Sequence, residues 1–161
     1  MSHNALAKSL AANPLAWIPF SLIVLTLAAC GGGAGSSGET INGIAVPPVP
    51  DMTANQATVS GVDSNGNGIR DDVERMLASE FGNDGSMYRE AVDYARTQQA
   101  ALTAPTQATV EAHISMLRCV RDSQKLAQLK KVTVATLDAP IRKGAYARAF
   151  AGTVLSTSGC P

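Results

Sequence analysis

Twelve consecutive residues, 63–74, read Asp-Ser-Asn-Gly-Asn-Gly-Ile-Arg-Asp-Asp-Val-Glu. Side-chain oxygens recur at loop positions 1, 3, 5, 9 and 12, with glycine at position 6, the spacing a short chain needs to wrap a hard divalent cation. Calcium takes roughly six to eight oxygens at about 2.3–2.6 Å, so alternate residues must turn inward. Asp63, Asn65 and Asn67 supply side-chain oxygen, and Ile69 at position 7 needs only its backbone carbonyl. Asp71 at position 9 acts through water, and Glu74 at position 12 closes the site with both oxygens. Gly68 permits the positive φ of the sharp turn, with Gly66 adding freedom beside it. A plain turn with Asp71 and Asp72 favouring the start of the next helix is the competing reading.

The loop resembles the EF-hand family, and more closely its bacterial half-motif relatives, the dockerin and thrombospondin type 3 repeats, in which the loop runs into one helix only. Two residue features depart from a full hand. Residues 57–62 (Ala-Thr-Val-Ser-Gly-Val), with Pro47, Pro48 and Pro50 upstream, argue against a long entering helix. Position 8 is Arg70, where paired hands usually carry an aliphatic residue that joins two loops, and the chain has no second loop to join. The run from Gly61 to Val73 is also similar to that of uncharacterised bacterial lipoproteins, a resemblance that implies no activity. Two of the side-chain positions are neutral Asn, leaving Asp63, Asp71 and Glu74 as charge. The expected dissociation constant is on the order of 10⁻⁴ to 10⁻³ M, a structural clip rather than a signal detector.

The amino terminus carries Lys8 and then an apolar stretch, 15–29, interrupted by Pro19. It is shorter than the roughly 20 residues that span a bilayer and suits a signal-peptide core. It ends in Leu27-Ala28-Ala29-Cys30, which resembles the bacterial lipobox. The resemblance implies cleavage before Cys30, lipidation of that cysteine, and, with Gly31 rather than Asp following, an outer-membrane lipoprotein of the cell envelope, facing the periplasm or the surface. Several acyl chains would anchor it stably, because each buried methylene adds about 0.8 kcal/mol. Residues 30–58, rich in Gly, Ser and Pro, read as a tether, and residues 59–161 as one domain.

Apolar periodicity in that domain is helical. Val73, Met76, Leu77 and Phe81 line an exit helix that stops at Gly82. A second helix, capped by Ser86, carries Tyr88, Ala91, Val92, Ala95 and Leu102 and ends at Pro105. A third opens at Thr106 with Val110, Ile114, Leu117 and Val120, continuing through Leu126 and Leu129, and a fourth starts near Pro140. Val132-Thr133-Val134 alternates like a strand that could pair with Thr58-Val59, but so short a ladder is marginal in isolation. The expectation is an all-α domain of about four helices preceded by the calcium loop.

Formal net charge is zero, with 13 basic and 13 acidic residues, yet acids dominate before Glu111 and bases after Arg118. The basic half could face an envelope protein, glycan or anionic lipid, or simply attract the acidic half in the fold. Nucleic acid is excluded as a partner by near-neutrality, export and few aromatics. With Cys30 assigned to lipid, Cys119 and Cys160 are an even pair in a disulfide-permissive compartment, and a bond between them would close a ring of about 40 residues worth roughly 4 kcal/mol. A catalytic pairing of Cys119 with His113 fails, since six helical steps set the two about 240° apart. A binding or structural module is therefore expected. The alternative is an envelope enzyme or enzyme accessory, which a pocket of convergent acids away from the loop would favour.

Overall fold

The computed structural model describes residues 38–118, 120–151 and 153. They form a mostly helical domain with six helices and one two-stranded hairpin. The elements are β1 (Thr40–Ile41), β2 (Ile44–Ala45), α1 (Met52–Ala57), α2 (Asp71–Phe81), α3 (Gly85–Thr103), α4 (Gln107–Arg118), α5 (Ser123–Thr136) and α6 (Pro140–Phe150). Cys30 and the apolar stretch before it lie outside the described residues, as do Cys119 and Cys160. Among the described residues no helix is long and apolar enough to cross a membrane.

The exit helix and the second helix follow their periodicity, with one shift of cap, whereas the last helix starts at Pro140 as expected but exposes Ile141 and buries Arg142. Asp84, not Ser86, starts α3, its carboxylate accepting from the Ser86 and Met87 amides at 3.0 Å each. Two further expectations need correction. The third helix does not run on to Leu129. Asp122 turns its carboxylate onto the amides of Gln124 and Lys125 at 2.7 and 3.1 Å, capping a separate helix α5. Val132-Thr133-Val134 lies inside α5, where Leu129 and Val132 are fully buried one turn apart and exposed Val134 points away. Burial at helical spacing overrides the β-propensity of the three residues.

The segment read as tether is also structured from residue 40 onward. Asn42 and Gly43 take φ of 51° and 78° between the paired Ile41 and Ile44, a two-residue turn with both central residues left-handed. The Asn42 amide then donates to the Ala78 and Ser79 carbonyls at 2.9 and 3.1 Å, satisfying the end of α2. Arg75 grips Glu39 with two bonds of 2.8 Å and holds the Pro47 carbonyl at 2.8 Å. The short hairpin is thus fastened to α2 rather than standing alone.

The core is built by α2, α3 and α5 around Val73, Leu77, Phe81, Tyr94, Leu129 and Val132, joined by Ile69 from the loop. Behind it, His113 on α4 is fully buried against Tyr94, at 4.8 Å between ring centroids, and Phe150, at 5.9 Å. Burial pulls its pKa down to about 4. The folded state therefore refuses a proton that the unfolded chain accepts below about pH 6.5. Stability contributed by neutral His113 is complete above that pH and falls as pH drops toward 4, by about 3 kcal/mol in all. Urea unfolding at pH 7.5 and 4.5 should show this slope in the wild type, and His113→Leu should lack that part of it.

Candidate metal centre

The loop enters from Gly61 and leaves as the first turn of α2. Its shape comes from the short polar side chains. One oxygen of Asp63 accepts the amides of Gly66 and Asn67 at 2.8 and 3.2 Å, and the other accepts that of Gly68 at 2.9 Å. Asn65 accepts from the Asn67 amide at 3.0 Å, and Asn67 from the Ile69 amide at 2.9 Å. Such side-chain-to-backbone bonds replace regular secondary structure and curl the chain around its own carboxylates. Gly66 and Gly68 both have positive φ, 70° and 86°, as the turn expectation requires.

The curl brings Asp63, Asp71 and Glu74 together, with one ligand-capable atom of each within 4.8 Å of the others. Asn65 and Asn67 complete the ring, both donating amide hydrogens to the Glu74 carboxylate. Ile69 sends its side chain into the core, 2% exposed. Five of the six residues singled out by spacing thus converge through their side chains, and the sixth stands in the same turn.

Asp71 carries the most telling geometry. It is buried, one oxygen accepts from the Ser64 amide at 2.8 Å, and the other has no hydrogen-bond partner. An ionised oxygen left unpaired in the interior costs free energy unless something cationic meets it. Glu74 accepts amide hydrogens at both oxygens but is crowded by like charge. Burial raises its pKa, the amides of Asn67 and Asn65 oppose that rise, and the neighbouring charges of Asp71 and Asp63 add to it. A hard cation between the three carboxylates would relieve both problems, and the donor set, all oxygen with no thiol or imidazole, suits such an ion.

Arg70, at loop position 8, is where the fold departs most from what spacing suggests. Its side chain is fully buried, and the guanidinium holds Asp72 at 2.9 and 2.7 Å, the Thr136 and Ala135 carbonyls at 3.0 and 3.2 Å, and Asp138 at 3.3 Å. Asp138 is shared with Arg142 at 2.6 Å, also fully buried, which bonds the carbonyls of Asn55, Thr58 and Val59. Asp72 is therefore an arginine partner and not part of the carboxylate ring. Burial pushes its pKa up, but the hydrogen bonds and charge of Arg70 outweigh that and leave it lowered. Residue type gave one signal of this arrangement, a charged residue where an aliphatic one is usual.

A cleft of about 440 Å³ between α2, α3 and α5 gathers Glu80, Asp84, Glu90 and Asp122. Lys131 pairs with Glu80 at 2.8 Å and Lys125 with Glu90 at 2.7 Å, while Asp84 and Asp122 cap helices. Each acid there has a structural partner, so the cleft offers no free carboxylate pair for acid–base work. No protein-family model, curated protein or solved structure matches the chain.

Proposed function

We propose that the chain is a lipid-anchored cell-envelope protein whose 63–74 loop holds a structural calcium ion, and that it acts as a binding or structural module. The observation that carries the calcium reading is the unpaired, buried oxygen of Asp71 beside Asp63 and Glu74. Asp63, Asn65, Asn67, Asp71 and Glu74 would hold the ion with side-chain oxygen, and Ile69 with its carbonyl. When bound, the ion supplies positive charge to a loop that otherwise packs three carboxylates together. Attachment through Cys30 rests on the lipobox resemblance, and the Gly/Ser-rich residues 31–38 suit a spacer between anchor and domain.

Calcium titration by calorimetry tests the ligand set. Asp63→Ala and Glu74→Ala should each weaken binding by a factor of ten or more, equivalent to about 1.4 kcal/mol. Asp72→Ala should lower overall stability while leaving calcium affinity within about threefold of wild type. Equal loss in all three variants would sink the assignment. Cys30→Ser should move the protein from the membrane to the soluble fraction, and retention of the variant through alkaline extraction would contradict lipid anchoring.

A further inference from the structure

The buried arginine pair gives the loop a reach beyond its own twelve residues. The Arg70 backbone lies between Ile69 and Asp71, two of the proposed ligands, while its guanidinium is seated among the Ala135 and Thr136 carbonyls and Asp138 at the α5–α6 corner. Asp138 hands the connection to Arg142 on α6, which grips three carbonyls at the end of α1. The ring closes through Asn55, whose side-chain oxygen accepts the Val62 amide at 2.9 Å, one residue before the first ligand. Gly61 has no side chain because none fits, since a Cβ there would overlap Arg70 Cδ and stand 2.6 Å from the Asn55 oxygen and 2.9 Å from Arg142.

From this closed circuit we infer that calcium at the loop controls the order of the α1 end and of the α5–α6 corner, with Arg70, Asp138 and Arg142 as the mechanical link. The inference rests on the calcium reading above. Opening the loop withdraws the Arg70 guanidinium, leaving Asp138 with Arg142 alone and the Ala135 and Thr136 carbonyls short of a donor. Fraying of α6 takes Arg142 from Asp138 and from the carbonyls of Asn55, Thr58 and Val59, and fraying of α1 takes Asn55 from the Val62 amide at the loop entrance. The two openings are therefore coupled, and a ligand that closes one must close the other by linkage. Because α1 lies between the hairpin and the loop, calcium would set how firmly the stretch from α1 to the loop is held in the domain. The ion would be a lock on α1 and the α5–α6 corner rather than a local clip.

Hydrogen exchange followed by mass spectrometry on the full-length chain, with calcium or with chelator, tests the coupling. Saturating calcium should slow exchange at least tenfold across 63–74 and at least threefold across 52–62 and 138–146. Slowing confined to 63–74 would overturn the coupling and leave the calcium site standing, whereas slowing nowhere would overturn both. Asp138→Asn removes the charge shared by the two arginines with little change of shape. In that variant calcium should still protect 63–74 while protection of 138–146 falls below twofold, and an undiminished response there would contradict the link. Arg70→Lys, which keeps the charge but gives up the fork, should uncouple the same segments and serves if Asp138→Asn folds poorly.

Discussion

Gly61→Ala is expected to destabilise the fold by about 4 kcal/mol, a large part of the 5–15 kcal/mol that typically separates folded from unfolded states. Two costs add. At φ +66° a Cβ is sterically disfavoured by about 1–2 kcal/mol. The larger cost is packing, because the new methyl would fall onto Arg70, Asn55 and Arg142 at once. Arg70 and Arg142 are fully buried and bonded on several sides, and buried Asn55 holds the Val62 amide with its side-chain oxygen, so none can step aside without losing a partner. Gly43 is the matched control. Its φ is +78°, yet nothing lies within 4 Å of a Cβ there, so Gly43→Ala should cost only about 1 kcal/mol. Urea unfolding of both variants separates backbone strain from the arginine nest. Equal losses would show that the region around Gly61 is not tightly packed.

Arg142→Met should cost about 3–5 kcal/mol, because truncating one member of a buried charged network strands its partners. Methionine fills a similar elongated volume, so the loss reports hydrogen bonds and charge more than a cavity. The Asn55, Thr58 and Val59 carbonyls lose their donor, and Asp138 keeps only its longer bond to Arg70. Pairing it with Asp138→Leu in a double-mutant cycle is informative. If the network is costly mainly when half-dismantled, the double variant should be less destabilised than the sum of the singles. Simple additivity would mean that Asp138 and Arg142 act independently.

The parts that sequence made legible are those whose causes are local. The apolar spacing of Val73, Leu77 and Phe81 lies on one face of α2 whatever it packs against, and Gly82, Pro105 and Pro140 punctuate helices through their own backbones. The 63–74 loop belongs to the same class, since Asp63, Asn65 and Asn67 curl the chain with bonds spanning two to five residues. What sequence hid depends on partners far along the chain. The Asn42-Gly43 hairpin signal was present, but flanking prolines and glycines suggested a spacer, and what holds the turn in place is the end of α2, 36 residues away. Arg70 and Arg142 belong to a residue type that is rarely buried, and the carbonyls they hold lie at least 65 and at least 83 residues distant, respectively. Likewise, Val132-Thr133-Val134 has a strand-like composition, and only the fit of Val132 into the core between α2 and α3 settles it as helix.

Thermal unfolding of the wild-type protein in millimolar calcium, in equal magnesium and in chelator tests the central claim most directly. A ligand that binds only the folded state must raise its stability, by about 2.7 kcal/mol at a hundred times its dissociation constant. The proposed site predicts a midpoint that rises with calcium concentration, rises little with magnesium, which demands a tighter octahedral shell, and does not rise in Asp63→Ala. Midpoints that coincide in all three solutions, with calcium well above millimolar, would contradict the metal centre and leave 63–74 a turn held by its own side chains.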